Sequence, residues 1–213
     1  MTLFNYYTVK ENGFHEIIIQ KSRFITYLAR VTSEQEAQQF IADLKKKHHD
    51  ANHNCSAYVL GEHNDIQKAS DDGEPSGTAG VPMLEVLKKR NLRNTVVVVT
   101  RYFGGIKLGG GGLIRAYGSS VSEALNAVGV VERVAHDLVE ITVDYTWLGK
   151  LENELRAADH LIDQIHYLDQ VKIDVWVEES TVPLFLDWMT NLTNGQAVFE
   201  KTRSRYVERD ILS

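Results

Sequence analysis

The chain has 213 residues, 43% hydrophobic and 24% charged, with a formal net charge of −6. That length buries a full core in one large domain or two ordinary ones, and the composition excludes a disordered chain. No apolar run approaches the roughly 20 residues that span a bilayer, the first residues lack a secretion signal, and the single cysteine, Cys55, closes no internal disulfide; a cytoplasmic protein without membrane contact is expected.

In chain order, residues 15–20 and 24–31 are β-branched apolar runs parted by Lys21, Ser22 and Arg23, and predict a hairpin. Ser33 stands three residues before Glu36 as a capping box, and Ala37, Phe40, Ile41 and Leu44 follow at helical spacing. Lys45, Lys46, Lys47 and His48 close that helix, where positive charge complements the dipole. Residues 55–60 predict a third strand. A polar loop over 61–80 leads to a short helix with Pro82 in its first turn. Residues 95–100 predict a strand covered on at least one face, followed by a glycine loop and a helix from about 113 to 127.

Residues 129–136 read as a short linker. Beyond them, 138–144 alternate as a strand, and Leu148, Leu151, Leu155 and Ala158 make a helical stripe. Residues 161–167 and 171–177 predict strands joined by a tight turn. Pro183 opens a helix with Leu184, Phe185, Trp188, Met189 and Leu192 inward, Asn194 and Gly195 stop it, and 197–207 form a last strand. The order β-α-β-β-α-β predicts a ferredoxin-like sandwich. The chain is thus expected to be an α+β protein with domains at 1–134 and 137–213. Residues 136–213 hold 7 basic against 15 acidic residues, and residues 1–135 hold 16 against 14. Nucleic-acid contacts therefore belong to the first domain, and the acidic second domain is left for a protein partner.

The chemistry concentrates between residues 86 and 115. Lys88, Lys89, Arg90, Arg93, Arg101, Lys107 and Arg115 lie there without one acidic residue. Gly104, Gly105, Gly109, Gly110, Gly111 and Gly112 interleave the last of them, between a predicted strand and a predicted helix. Glycine lets a ligand approach the backbone closely, and a helix start presents unpaired N–H groups, so these cations and glycines predict an anion site, with Tyr102 or Phe103 available to stack on a base. The pattern is neither a Walker A loop nor a dinucleotide fingerprint.

Just upstream, Asp71, Asp72 and Glu74 form a possible acidic cleft. Their spacing is not that of a calcium loop, and pairing with the basic stretch is the preferred reading over a metal. His48, His49, His53 and Cys55 make a poor zinc set, since one cysteine stands without a repeated pair. Lys201, Arg203 and Arg205 alternate along the final strand as a small basic stripe. No cofactor and no metal is predicted.

The run from Asp71-Asp72-Gly73-Glu74 to Gly80, the run from Val99 through Arg101-Tyr102-Phe103-Gly104-Gly105-Ile106-Lys107-Leu108-Gly109, and Gly112-Leu113-Ile114-Arg115-Ala116-Tyr117 closely resemble the YigZ/Impact family. The resemblance covers nearly the whole chain. It implies an N-terminal domain like the second domain of ribosomal protein S5 and a C-terminal ferredoxin-like domain, a pairing similar to the last two domains of elongation factor G. A non-enzymatic, translation-linked protein that binds RNA, the ribosome or a ribosome-associated partner is therefore expected. The alternative is a magnesium-dependent enzyme acting on a phosphorylated small molecule or nucleotide, with Gly109–112 holding phosphate and Asp71, Asp72 or Glu74 holding the metal or acting as base.

Overall fold

A computed structural model describes residues 4–61 and 64–211. The chain divides into two units, the first comprising Tyr6–Arg133 with residues 209–211, the second Val134–Glu208 with residues 4–5. In the first unit, β1 (Tyr6–Val9) precedes the hairpin of β2 (Gly13–Ile19) and β3 (Ser22–Arg30). Gln20 and Lys21 form its two-residue turn with positive φ, +46° and +65°, which matches the twist of the flanking strands. Helix α1 (Glu34–Lys47) starts where predicted, the Ser33 hydroxyl accepting the Glu36 N–H, while the Glu36 carboxylate turns back to accept from Thr32. Strands β4 (His53–Leu60) and β5 (Ile66–Ser70), helix α2 (Gly80–Lys89), strand β6 (Thr95–Tyr102) and helix α3 (Gly109–Val128) complete the unit.

These strands pair antiparallel in the order β2-β3-β6-β4-β5. Every residue from Val96 to Val99 of the central β6 is fully buried. One sheet face packs Phe24, Leu28, Val97 and Val99 against Met83 and Leu87 of α2 and Tyr117, Val121 and Leu125 of α3. On the other face α1 packs Ala37, Phe40 and Ile41 against Ala29, Val31, Tyr58, Leu60 and Val96, and its C-terminal Lys47 and His48 reach Tyr27 and Tyr102. Burial of some twenty apolar side chains in the larger cluster dominates the stability of this unit.

Three expectations are corrected here. The predicted loop over 61–80 contains β5, whose residues are all exposed; an edge strand with no buried face leaves no alternating pattern to read. The segment taken as a linker, 129–136, belongs to β7 (Val130–Val143), and its first residues pair with β1. Helix α3 begins at Gly109 rather than near 113, so the glycine run is its first turn. Tertiary packing of Leu113, Ala116 and Tyr117 overrides the low helix propensity of glycine.

In the second unit, β7 continues from Val134, followed by α4 (Tyr145–Ala157), β8 (Leu161–Tyr167), β9 (Val171–Glu178), α5 (Val182–Leu192) and β10 (Val198–Asp210). The strand order β10-β7-β9-β8 with two helices is that of a ferredoxin-like sandwich, so the two-domain α+β expectation holds. Leu151, Leu155, Phe185 and Met189 fill the space over Val139, Ile141, Ile173 and Val175. Leu184 is a correction: the buried stripe of α5 is Phe185 and Met189, and Leu184 stands 73% exposed, about 100° around the helix. The predicted basic stripe is occupied within its own unit. Lys201 pairs with Asp137, Arg203 with Asp163, and Arg205 lies 4.0 Å over the Trp176 ring. Among the described residues no helix is long and apolar enough to cross a membrane.

Candidate functional site

Alternation along β6 divides its last residues between the two sheet faces. Arg101 turns toward the helices and is 5% exposed; its Nη1 donates to Glu74 Oε1 at 2.6 Å and its Nη2 to Ser22 Oγ at 3.4 Å. The guanidinium lies 5.3 Å over the Phe24 ring and 5.6 Å over the Phe103 ring, and its buried Nε has no partner. Glu74 Oε1 also accepts the Tyr117 hydroxyl at 2.8 Å. This pair is out of water, and its geometry compensates the desolvation. Cys55 adjoins it, its sulfur 3.3 Å from the Tyr117 hydroxyl and 3.0 Å from the Asp71 carbonyl. Burial pushes the Cys55 thiol up to about 12, which removes its nucleophilicity near neutral pH.

The three carboxylates of the acidic segment do three separate things. Asp71 accepts the backbone N–H groups of Gly77, Ala79 and Gly80, doing at the start of α2 what a capping side chain does. Burial alone would raise its carboxyl, and those three donors together hold it below the usual range. Asp72 accepts from the Asn54 N–H and from the Lys45 ammonium, both at 2.6 Å. Only Glu74 reaches the neighbouring cavity. Among the described residues, no three of His, Cys, Asp and Glu gather to hold a metal ion.

That cavity, about 350 Å³, is bounded by His53, Glu74, Arg101, Phe103, Lys107 and the first turn of α3. His53 Nδ1 donates to the Asp72 carbonyl at 2.9 Å, and Nε2 stands 3.8 Å from Glu74 Oε2. Leu108 occupies the N-cap position of α3 and supplies no side-chain acceptor, and no acidic residue sits in the first turn. No side-chain cap therefore answers the first N–H groups of the helix, whose opening residues Gly109 and Gly110 line the cavity at the positive end of the dipole. Lys107 is exposed beside them, and the Arg115 guanidinium lies back along the first turn, next to Gly111.

The glycines of this loop are there for different reasons. A Cβ on Gly104 would stand 2.0 Å from the Lys21 backbone, so packing demands glycine. Gly109 takes a φ of +71°, which an L side chain resists. Gly105 has the same excuse with +87°, and a Cβ on Gly112 would press on Leu108 at 3.1 Å. Gly110 and Gly111 have neither reason: a Cβ would meet only Thr78 at 3.9 Å or Arg115 at 3.7 Å. Each costs about 1 kcal/mol relative to alanine in a helix.

Of the residues singled out in the sequence, Glu74, Arg101, Phe103, Lys107, Gly109 and Gly110 bound this cavity, and Gly104, Gly105, Gly111, Gly112 and Arg115 adjoin it in the same loop and helix. Tyr102 faces the opposite side of the sheet, where its hydroxyl donates to Asp50. Lys88, Lys89, Arg90 and Arg93 lie before β6, a strand about 26 Å long at 3.3 Å per residue, and so at its other end. Lys88 pairs there with Glu85, Arg90 donates to Asn126, and Lys89 and Arg90 border a separate cavity of about 520 Å³. His53 and Tyr117 hold places at this cavity that sequence reasoning did not give them: His53 entered it only in a poor zinc set, and Tyr117 only as the end of the family-like run. The two-residue spacing of His53 and Cys55 was the available signal, because it sets both side chains on the helix-covered face. Nothing in the sequence set Tyr117 apart from the apolar stripe around it.

Residues 20–125 match the family described as the Impact N-terminal domain, and residues 141–196 match DUF1949, a domain of unknown function. A Bacillus subtilis protein, IMPACT family member YvyE, is 60% identical over 209 residues, covering 98% of this chain and 96% of that one. A Dictyostelium discoideum protein, named Protein IMPACT homolog, is 42% identical over 97 residues, 43% of this chain and 27% of that one. A crystal structure described as that of a hypothetical protein is 31% identical, with a TM-score of 0.58 over 95% of this chain and 99% of that one.

Proposed function

The chain belongs to the IMPACT family, and we propose that it is a translation-associated binding protein that takes an RNA phosphate at the glycine-rich start of α3. The observation that carries this reading is the pair Gly110 and Gly111. Both weaken the helix that contains them, and neither backbone conformation nor internal packing asks for glycine there. Close approach of an outside group to the backbone supplies the missing reason. Uncapped N–H groups, Lys107 and Arg115 make that group an anion. Arg101 contributes little net charge, because Glu74 neutralises it; it fixes the wall of the cavity instead.

Phe103 is 45% exposed at the rim and offers a ring face to a base next to the bound phosphate. The acidic second domain repels phosphate and is assigned to a protein partner at the ribosome. The enzyme alternative draws no support from the carboxylates, since Asp71 and Asp72 are committed to backbone donors and Lys45.

The test is the double variant Gly110→Ala plus Gly111→Ala, titrated with a fluorescent ribosomal RNA fragment. The variant is expected to melt at the wild-type temperature or above and to bind RNA at least tenfold more weakly. Wild-type affinity in a variant with two added methyl groups at that turn overturns the proposal.

A further inference from the structure

We propose that the cavity at the start of α3 takes the last nucleotide of a single-stranded RNA 3′ end, whose free ribose cis-diol is held by Glu74 and His53. The proposal rests on the phosphate reading above and names which nucleotide of the RNA enters. Glu74 is the starting observation, because its two oxygens keep unequal company in a side chain only 4% exposed. Oε1 accepts from Arg101 Nη1 at 2.6 Å and from the Tyr117 hydroxyl at 2.8 Å. With Oε1 turned to those two donors, Oε2 is the oxygen that borders the cavity, and among the described residues none donates a hydrogen bond to it. A carboxylate oxygen this deep ordinarily has a donor.

His53 sets a second acceptor beside the first. Its position is fixed by the sheet, where it opens β4 directly across from Arg101 of β6. Nδ1 donates to the Asp72 carbonyl at 2.9 Å, so in the neutral ring Nε2 carries the lone pair and accepts. Nε2 and Glu74 Oε2 stand 3.8 Å apart, beyond hydrogen-bond length, and neither satisfies the other. Both are held from behind, Glu74 by Arg101 and Tyr117 and His53 by the backbone, so an occupant meets them already oriented.

Charge decides what kind of donor fits. The Arg101 guanidinium already balances the Glu74 carboxylate, and Lys107 with the positive end of α3 repels a cation from the same cavity. The occupant therefore brings neutral donors to Glu74 and His53 and an anion to the helix start. A ribose cis-diol supplies two hydroxyls on adjacent carbons, one for Oε2 and one for Nε2. The phosphate on the 5′ side of that ribose belongs to Lys107 and the backbone of Gly109 and Gly110, and its base to the Phe103 ring. An internal nucleotide does not fit. Its 3′ oxygen is esterified and has no proton to give, and the next phosphate would be carried toward the Glu74 carboxylate. Size agrees, since about 350 Å³ lies at the small end of ligand cavities, about 300–1,000 Å³, and suits one nucleotide. A free ribonucleoside monophosphate presents the same phosphate and diol and is the other source of this chemistry.

The experiment varies the ligand first, so that it stands whatever a variant does to folding. Anisotropy is read for a short RNA labelled at its 5′ end and finishing in a free diol, in a dideoxynucleotide or in a 3′-phosphate. Wild type is expected to bind the diol RNA at least tenfold more tightly than either of the others. A surface that only attracts negative charge would rank the 3′-phosphate first. His53→Phe should bring the diol RNA down to the dideoxy level and leave the dideoxy affinity as in wild type. Equal binding of the three RNAs by wild type, or best binding of the 3′-phosphate, overturns the diol site; loss of all three by the Gly110→Ala plus Gly111→Ala variant then keeps the phosphate reading. Conversely, a glycine variant with wild-type affinity and an intact diol preference removes the phosphate from α3 and leaves the diol site standing. Adenosine monophosphate competing at least tenfold more weakly than the diol RNA assigns the site to an RNA end. Competition at equal affinity makes a free ribonucleotide the occupant and overturns the RNA end.

Discussion

The two groups of cations on either side of β6 are one run in the sequence and two environments in the molecule. Lys88, Lys89, Arg90 and Arg93 sit at or just past the C-terminal end of α2, where positive charge favours the helix, and Glu85 and Asn126 answer two of them. Lys107 and Arg115 flank the N-terminal end of α3, where the dipole has their own sign and the fold gains nothing from them. Gly110 and Gly111 weaken the same turn. Residues that help the fold have their explanation inside it, whereas residues that cost the fold about 0.3–1 kcal/mol each ask for an outside partner. That contrast, rather than the raw count of charges, is the ground on which the proposed reading puts binding at one end of β6.

The largest test of this contrast uses one ion pair from each end. Arg101–Glu74 is buried, with side chains 6% and 4% exposed, whereas Lys88–Glu85 is open to water at 42% and 47%. Glu74→Ala strands a guanidinium out of solvent and should cost about 3–5 kcal/mol, a fall in melting temperature of roughly 10 °C or more. Glu85→Ala should cost under about 1 kcal/mol. Replacing both buried partners, Arg101→Met with Glu74→Leu, should recover most of the loss. Thermal melts of the three variants beside wild type decide it, and equal shifts for Glu74→Ala and Glu85→Ala would erase the distinction between the two ends.

A smaller effect separates the two ends in binding. Lys107→Ala should weaken RNA association and lower the slope of log affinity against log salt by about one, the signature of one lost phosphate contact. Lys88→Ala should leave that slope unchanged, its charge being taken up by Glu85. Anisotropy titrations between 50 and 200 mM salt, on the order needed to resolve one contact, measure both. The opposite pattern would move the binding surface to the other end of β6.

Much of the fold was legible because its signals are local. Ser33 with Glu36, Pro82, Pro183 and the Asn194-Gly195 stop each act within a few residues, and their helices lie where the sequence placed them. Strand β5 was not legible, since an exposed edge strand shows no periodicity, and β7 was cut short because its first residues pair with β1, a partner more than a hundred positions away. The candidate site was half legible. Glycines and cations announced an anion, but the sequence could not say that Arg101 is neutralised by Glu74, that Asp71 serves a helix start, or that β6 holds the basic groups about 26 Å apart. Each of those depends on which face a side chain takes or what lies across the sheet.

The smallest expected effect is a pH dependence seated at His48, which is bonded to Tyr102 at the end of β6. Burial, with the Lys47 and Arg23 charges adding to it and Asp50 opposing, pushes the His48 imidazole below its ordinary range. The unfolded chain keeps a value of about 6.5. Between those two values the unfolded state binds more protons than the folded one, so stability rises with pH; it is complete above about 6.5 and lost as pH falls toward the folded value. Protonation also places a second N–H where His48 Nε2 accepts the Tyr27 hydroxyl, which breaks the bridge that orients Tyr27 and Tyr102. His160 in the second domain is lowered by burial alone and touches only the rings of Phe185 and Trp188, so its protonation breaks no hydrogen bond. Melting between pH 7 and pH 5, within about two units of the ordinary histidine value, should therefore drop in wild type and drop less in His48→Gln and in His160→Phe.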